Sequence, residues 1–241
     1  MAADSSEAPP AHSERYGPLV HRSVHHGAIL LIVGAVAFVV GMIVTQVGYG
    51  SSYSLLHNYI SDLGAVHCGI LSGHYYDGGY VCSPWHDVFN ASIVIMGLLL
   101  VLAVILIRTG FPPRSTRTIG LALLGIAAIG AIGVGFSPED FNTNVHVLSA
   151  AVAFIAGNLA LIVLGIAMFR DTRWDGYRAY TMLSGLVGLV ALALFEAKVY
   201  GPLGVGGMER LIVAPLLLWA VLAGIHLARI PTYAAPRGIP G

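Results

Sequence analysis

The chain has 241 residues, of which 56% are hydrophobic and only 10% are Asp, Glu, Lys or Arg, with a mean hydropathy of +0.79. An ordinary soluble domain carries about 25% charged residues, so this composition excludes a soluble enzyme and a disordered chain. The formal net charge is zero, which leaves no basic footprint for nucleic acid, and none is expected as a partner.

Thirty glycines against a single lysine fit an all-α polytopic membrane bundle, where small residues let helices approach closely. Residues 1–26 are polar and rich in Ala, Ser, Pro and His. They lack the apolar core of a cleavable signal peptide and read as a disordered cytoplasmic tail. His21, Arg22, His25 and His26 sit at its membrane boundary, where such side chains snorkel to the interface. The first apolar stretch, Gly27–Gly48, meets the length of about 20 residues that a bilayer core requires.

A long connection follows from Tyr49 to Trp85, rich in Tyr and free of Lys and Arg. Ser54–Tyr59 reads as a short interfacial helix ahead of Ile60-Ser61-Asp62-Leu63-Gly64. Cys68 and Cys82 read first as a disulfide on the extracytoplasmic side, worth roughly 3 kcal/mol for a loop of about 15 residues. A metal site using both with His67 or His74 is the alternative, although it matches no standard zinc spacing.

The second stretch is Val88–Ile107 and the third Ile119–Phe136. Five glycines (Gly120, Gly125, Gly130, Gly133 and Gly135) mark the third as buried among its neighbours. The fourth runs Val145–Phe169, the fifth Ala179–Val199 and the sixth Leu211–Ala228, with Pro215 freeing the carbonyl of Leu211. Residues 27–228 thus form a six-helix transmembrane domain, and 229–241 a second cytoplasmic tail. Ten of the twelve basic residues fall in the tails and in the second-to-third and fourth-to-fifth connections. Lys198 and Arg210 are the other two, so the basic bias puts both termini in the cytoplasm and the long loop outside.

Costly polar side chains collect at the outer boundary. The ligand-binding candidates are Ser61, Asp62, His86, Asn90, Glu139, His146, Glu209 and Arg210. Ionisable groups at membrane depth are expensive and usually face a cavity or one another. Asp62, His86 and His146 are the possible ligands of a divalent metal that would activate water, with Arg210 stabilising an anion. Structural readings stand beside these. Asp87 and Glu139 cap helices, Glu196 and Lys198 anchor the interface, Arg210 pairs with Asp62 or Glu139, and Asn158 bridges helices. There is no phosphate-binding loop, no HExxH and no GxSxG, so no catalytic residue is assigned. The readings are a pocket for a lipid head group or small polar ligand, a metal-dependent hydrolase or transferase, and an accessory subunit. A transporter is disfavoured by the thin polarity of the inner half.

At Asn58-Tyr59-Ile60-Ser61-Asp62-Leu63-Gly64 the chain resembles a widespread prokaryotic six-helix membrane family of unknown function, with N-x-I-S-D-L-G after its first helix. The resemblance extends to Pro84, Phe89-Asn90, Pro138, His146, Gly206 or Gly207, Arg210 and Trp219. It implies an integral protein of a prokaryotic plasma membrane and carries over no catalytic residue. The I-S-D element is also distantly similar to that of autophagy-modulator and GPI-lipid-remodelling membrane proteins, which implies a lipid-related role.

Overall fold

A computed structural model describes residues 18–71 and 79–231. Expectations placed on residues 1–17, His74 and 232–241 lie outside the described residues. Six helices carry the fold: α1 (Pro18–Val47), α2 (His86–Leu106), α3 (Ser115–Phe136), α4 (Thr143–Ala167), α5 (Tyr177–Glu196) and α6 (Gly204–Leu227). All are long and apolar enough to cross a membrane, so the chain is an all-α integral membrane protein.

All six helices begin ahead of the expected starts, and the first and sixth do so by two turns. The first is already helical at Pro18, well ahead of Gly27. His21, Arg22, His25 and His26 are therefore helical, not part of a tail. The sixth starts at Gly204 rather than Leu211, because Glu209 and Arg210 lower hydropathy without breaking a helix. Both side chains thus project from the second turn of α6.

Consecutive helices pack together, and α6 closes the bundle against α1. A direct α4–α6 contact leaves α5 packed mainly on those two helices. Asn158 ties α4 to α6, its Nδ2 donating to Ile212 O at 3.4 Å, and Trp219 Nε1 donates across to Thr181 Oγ1 of α5 at 3.1 Å. Lipid offers no hydrophobic drive between helices, so close packing carries the association. α3 has the largest buried share of the six spans, at half its apolar window. A Cβ on Gly130 would lie 2.7 Å from the Ala153 nitrogen and 2.8 Å from the Ser149 oxygen of α4. Gly125 faces open space instead.

One end of the bundle gathers the Arg-rich connections. There Phe111 stacks on Trp174 at 4.8 Å, Tyr177 stacks on His226 at 4.0 Å, and His226 Nε2 bonds to Arg173 O at 2.9 Å. The other end carries the long α1–α2 connection. Within it, β1 (Gly69–Ile70) pairs antiparallel with β2 (Tyr80–Val81). A Cys68–Cys82 disulfide, with Cα atoms 4.2 Å apart, closes the base of this hairpin. The sulfurs are bonded to each other and offer no thiolate, so the cysteine metal site falls away. Ser54–Tyr59 is a turn, not an interfacial helix. The Ser54 N–H donates to Asn58 Oδ1 and the Asn58 N–H donates back to Ser54 O, both at 2.9 Å, and this reciprocal pair ends the turn.

The α3–α4 contact yields a paired prediction. Gly130→Ala must push backbone apart and should cost about 1–3 kcal/mol. Gly125→Ala fills open space in a helix and should be neutral or stabilise by about 0.5–1 kcal/mol. Thermal unfolding of the two variants in the same detergent checks the contrast; equal melting temperatures would refute it.

Candidate functional site

The segment from Leu56 to Gly64 is the organising element of the loop-bearing end. Its only regular piece is one 3₁₀ turn, Ser61–Gly64, yet Asn58, Ile60, Asp62, Leu63 and Gly64 are all buried. Non-helical backbone among membrane helices must find partners within the protein. Here α6 supplies half of them. Gly206 N–H donates to Leu56 O at 2.9 Å. Glu209 Oε2 accepts from the Ile60 N–H at 2.5 Å. Arg210 Nη1 donates to Asn58 O at 3.0 Å and to Gly206 O at 2.9 Å, while Nη2 donates to the Tyr53 hydroxyl. That hydroxyl donates in turn to Tyr59 O at 2.8 Å. From α2 and the turn before it, Asn90 Nδ2 donates to Gly64 O at 3.0 Å and Ser83 Oγ to Leu63 O at 2.7 Å. Asp62, fully buried, accepts from Asn58 Nδ2 at 2.8 Å.

Two glycines permit this approach. A Cβ at Gly206 would stand 2.0 Å from Asn58 O, and one at Gly64 would stand 2.5 Å from Asn90 Oδ1. Burial pushes the Tyr53 phenol above its ordinary value; the Arg210 charge lowers it and the Glu209 charge raises it. Burial, then Tyr200 and Glu209, push Tyr59 up to about 12, so it remains a hydroxyl.

A second tie joins the hairpin to the α3–α4 loop. Asp140 accepts from the Val66 N–H at 3.0 Å and from the His67 N–H at 2.7 Å, and lies 3.0 Å from His67 Nδ1. Burial alone would raise the Asp140 carboxyl, but these donors outweigh it and hold it below the usual range.

The expected candidates therefore separate. Arg210 and Asn90 serve the segment's backbone, and Arg210 bonds carbonyls and a phenol rather than pairing as first expected. His86 folds back on its own helix start, Nδ1 donating to Ser83 O at 2.9 Å with Nε2 3.4 Å from Asp87. Glu139 sits close enough to raise the Tyr49 and Tyr59 phenols, after burial as the larger cause. Asn142, not Glu139, caps α4, its side chain accepting from the Val145 N–H. The expected metal set of Asp62, His86 and His146 is not assembled. Among the described residues no group of three His, Cys, Asp or Glu side chains is placed to hold a metal ion. His86 is committed to the α2 start, and Asp62 lines a different cavity from His146.

Three candidates do meet. Ser61, His146 and Glu209 line one cavity of about 130 Å³ in the middle of the bundle. The rest of its wall is apolar, with Phe38, Phe89, Ile93, Leu217 and Trp219 among the contributors. Helices α1, α2, α3, α4 and α6 all line it, and α5 does not. His146 Nδ1 donates to Ser137 O at 2.8 Å, so the neutral ring carries its lone pair on Nε2. The cavity is thus apolar-walled, and its three polar lining residues, Ser61, His146 and Glu209, all come from the loop-bearing end. Periodicity could not have shown this, since the three residues come from a loop and two helices remote in sequence.

A fold of six spanning helices built around a buried non-helical segment defines a polytopic membrane protein with an internal cavity. The family described as "Protein of unknown function (DUF998)" matches residues 32–226, and the chain belongs to it. No curated protein and no solved structure matches the chain.

Two predictions follow from these ties. Arg210→Lys keeps the charge but cannot span two carbonyls and a phenol, so it should cost about 1–3 kcal/mol per buried acceptor left unbonded. Unfolding in detergent checks it; a wild-type melting temperature would refute the tie. For Asp140, a lowered folded value means stability present above the unfolded value of about 3.9 and lost as pH falls through the folded one. Asp140→Asn should flatten that acid limb below about pH 4, as read by melting temperature against pH.

Proposed function

We propose that this protein binds an amphipathic molecule, with a hydrocarbon segment in the central cavity and its polar group against Ser61, His146 and Glu209. The observation that carries this reading is the cavity's composition: apolar along its wall and polar at one end only. A hydrocarbon-lined engineered cavity of about 150 Å³ stays dry and takes up benzene. The 130 Å³ here suits one chain or ring segment, not both chains of a phospholipid. The Glu209 carboxylate and the His146 Nε2 lone pair are acceptors, so they favour a polar group that donates hydrogen bonds or carries positive charge.

The basic bias supports placing the Arg-rich end in the cytoplasm of a plasma membrane. The polar end of the cavity then belongs to the outer leaflet, and a lipid or lipid-like molecule reaches it from the bilayer. A metal-dependent reaction has no support from the placement of the side chains.

Native mass spectrometry of the detergent-purified protein tests the binding. The wild type should retain an amphiphile that survives mild activation. Ala150→Trp, which places an indole in the cavity wall, should abolish retention while far-ultraviolet circular dichroism still reports a folded bundle. Equal retention in the variant, or none in the wild type, refutes the reading.

A further inference from the structure

A second pocket lies across the Leu56–Gly64 segment from the first. Its volume is about 410 Å³, and its wall includes His57, Tyr59, Asp62, Tyr80, Lys198 and Tyr200. The segment is the partition between the two spaces. Ile60 and Ser61 line the inner cavity, whereas Asn58, Tyr59 and Asp62 line the outer pocket. The outer wall is completed by the β2 strand and by the connection between α5 and α6.

Its chemistry differs from that of the inner cavity. Three tyrosines, His57 and Lys198 line it, with Asp62 behind them in the wall. Tyr59 and Tyr200 both pack against Phe195, at centroid distances of 6.1 and 5.9 Å, which fixes both rings relative to one another. Tyr80 stands across on the hairpin and is 43% exposed. Asp62 is fully buried in the wall, so it acts on an occupant through its field rather than by contact. Lys198 is exposed and is the chain's sole lysine. It ends α5 with φ at +58°, a conformation that helices ordinarily give to glycine. A simple anion would be drawn to Lys198 and repelled by Asp62; a simple cation would meet the reverse. A molecule carrying both charges is favoured by both groups. Tyrosine faces attract ammonium groups, quaternary ones above all.

We propose that this outer pocket binds a zwitterion that joins an ammonium to a phosphate, the chemistry of phosphocholine and phosphoethanolamine. The phosphate lies toward Lys198, and the ammonium rests on the tyrosine faces over Asp62. The site is separate from the inner cavity, and the proposal does not need the reading given for that cavity.

Isothermal titration of the detergent-purified full chain tests it with phosphocholine, choline and inorganic phosphate as probes. Phosphocholine should bind, with choline and phosphate each about tenfold weaker or worse. Lys198→Ala and Tyr80→Ala, both at exposed positions, should each weaken phosphocholine about tenfold. Both variants should melt at the wild-type temperature. No phosphocholine binding up to roughly 10 mM overturns the proposal. So does unchanged affinity in both variants, or phosphate binding as tightly as phosphocholine. Phosphocholine has no hydrocarbon chain to fill the inner cavity and the two variants lie in the outer pocket, so its failure leaves the inner cavity's reading standing. Nanodiscs then separate the sources. Retention of a phosphatidylcholine lipid that is lost in Lys198→Ala assigns the site to a lipid head group. Binding of the soluble probe without such retention assigns it to a free zwitterion.

Discussion

The backbone of Leu56–Gly64 is the constraint on which the loop-bearing end depends. It is buried among spanning helices without being a helix itself, so its amides and carbonyls cannot all be satisfied locally. Carbonyls at Leu56, Asn58, Tyr59, Leu63 and Gly64 and the amide at Ile60 each find a partner elsewhere in the chain or across the turn. An unmet buried group costs about 1–3 kcal/mol, so removing any one partner is felt throughout the segment. That requirement explains why α6 must start at Gly204 and not at Leu211. Only an early start places the Gly206 amide, the Glu209 carboxylate and the Arg210 guanidinium level with the segment.

The same constraint explains what was legible in the sequence. Each spanning helix is a local property, a run of apolar residues long enough for a bilayer, and all six were readable as such. The disulfide was readable as well, because both cysteines lie in one loop. The helical turns ahead of Gly27 and Leu211 were not, since hydropathy registers burial in lipid rather than helix formation. The polar candidates could be named from the sequence, but not which of them meet. Asn90 and Arg210 turned out to answer backbone groups 26 and 152 residues away in sequence. Nothing in a side chain's identity says that its partner is a distant carbonyl. Tyr53 was missed for that reason, and Lys198 was set aside as an interfacial anchor although it lines the outer pocket.

The partition between the two cavities also follows from the segment. Its residues alternate between two sides because the chain there is an irregular strap, not a helix with a single buried face. Ile60 and Leu63 join the apolar cluster of Phe38, Phe89 and Ile93, which anchors the strap from the bundle side. The hydrogen bonds from α6 and α2 hold it laterally. Glu209 belongs to both arrangements, since it lines the inner cavity and one of its oxygens holds the Ile60 amide. An occupant that competes for that carboxylate therefore acts on the strap as well as on the cavity.

This coupling gives the scarcity of charge a physical meaning. Asp62 and Glu209 are both buried within the bundle's loop-bearing end, and each holds part of a single strap. Their cost is tolerable because the donors around them are fixed by packing before any ligand arrives. What the strap leaves over is directional: Ser61 and His146 line the inner cavity, and three tyrosines and Lys198 line the outer pocket. Hydrogen-bond acceptors therefore dominate inward, and a mixed field faces outward. The two proposed occupants would lie on the two faces of one nine-residue segment, and neither would require it to give up a backbone partner.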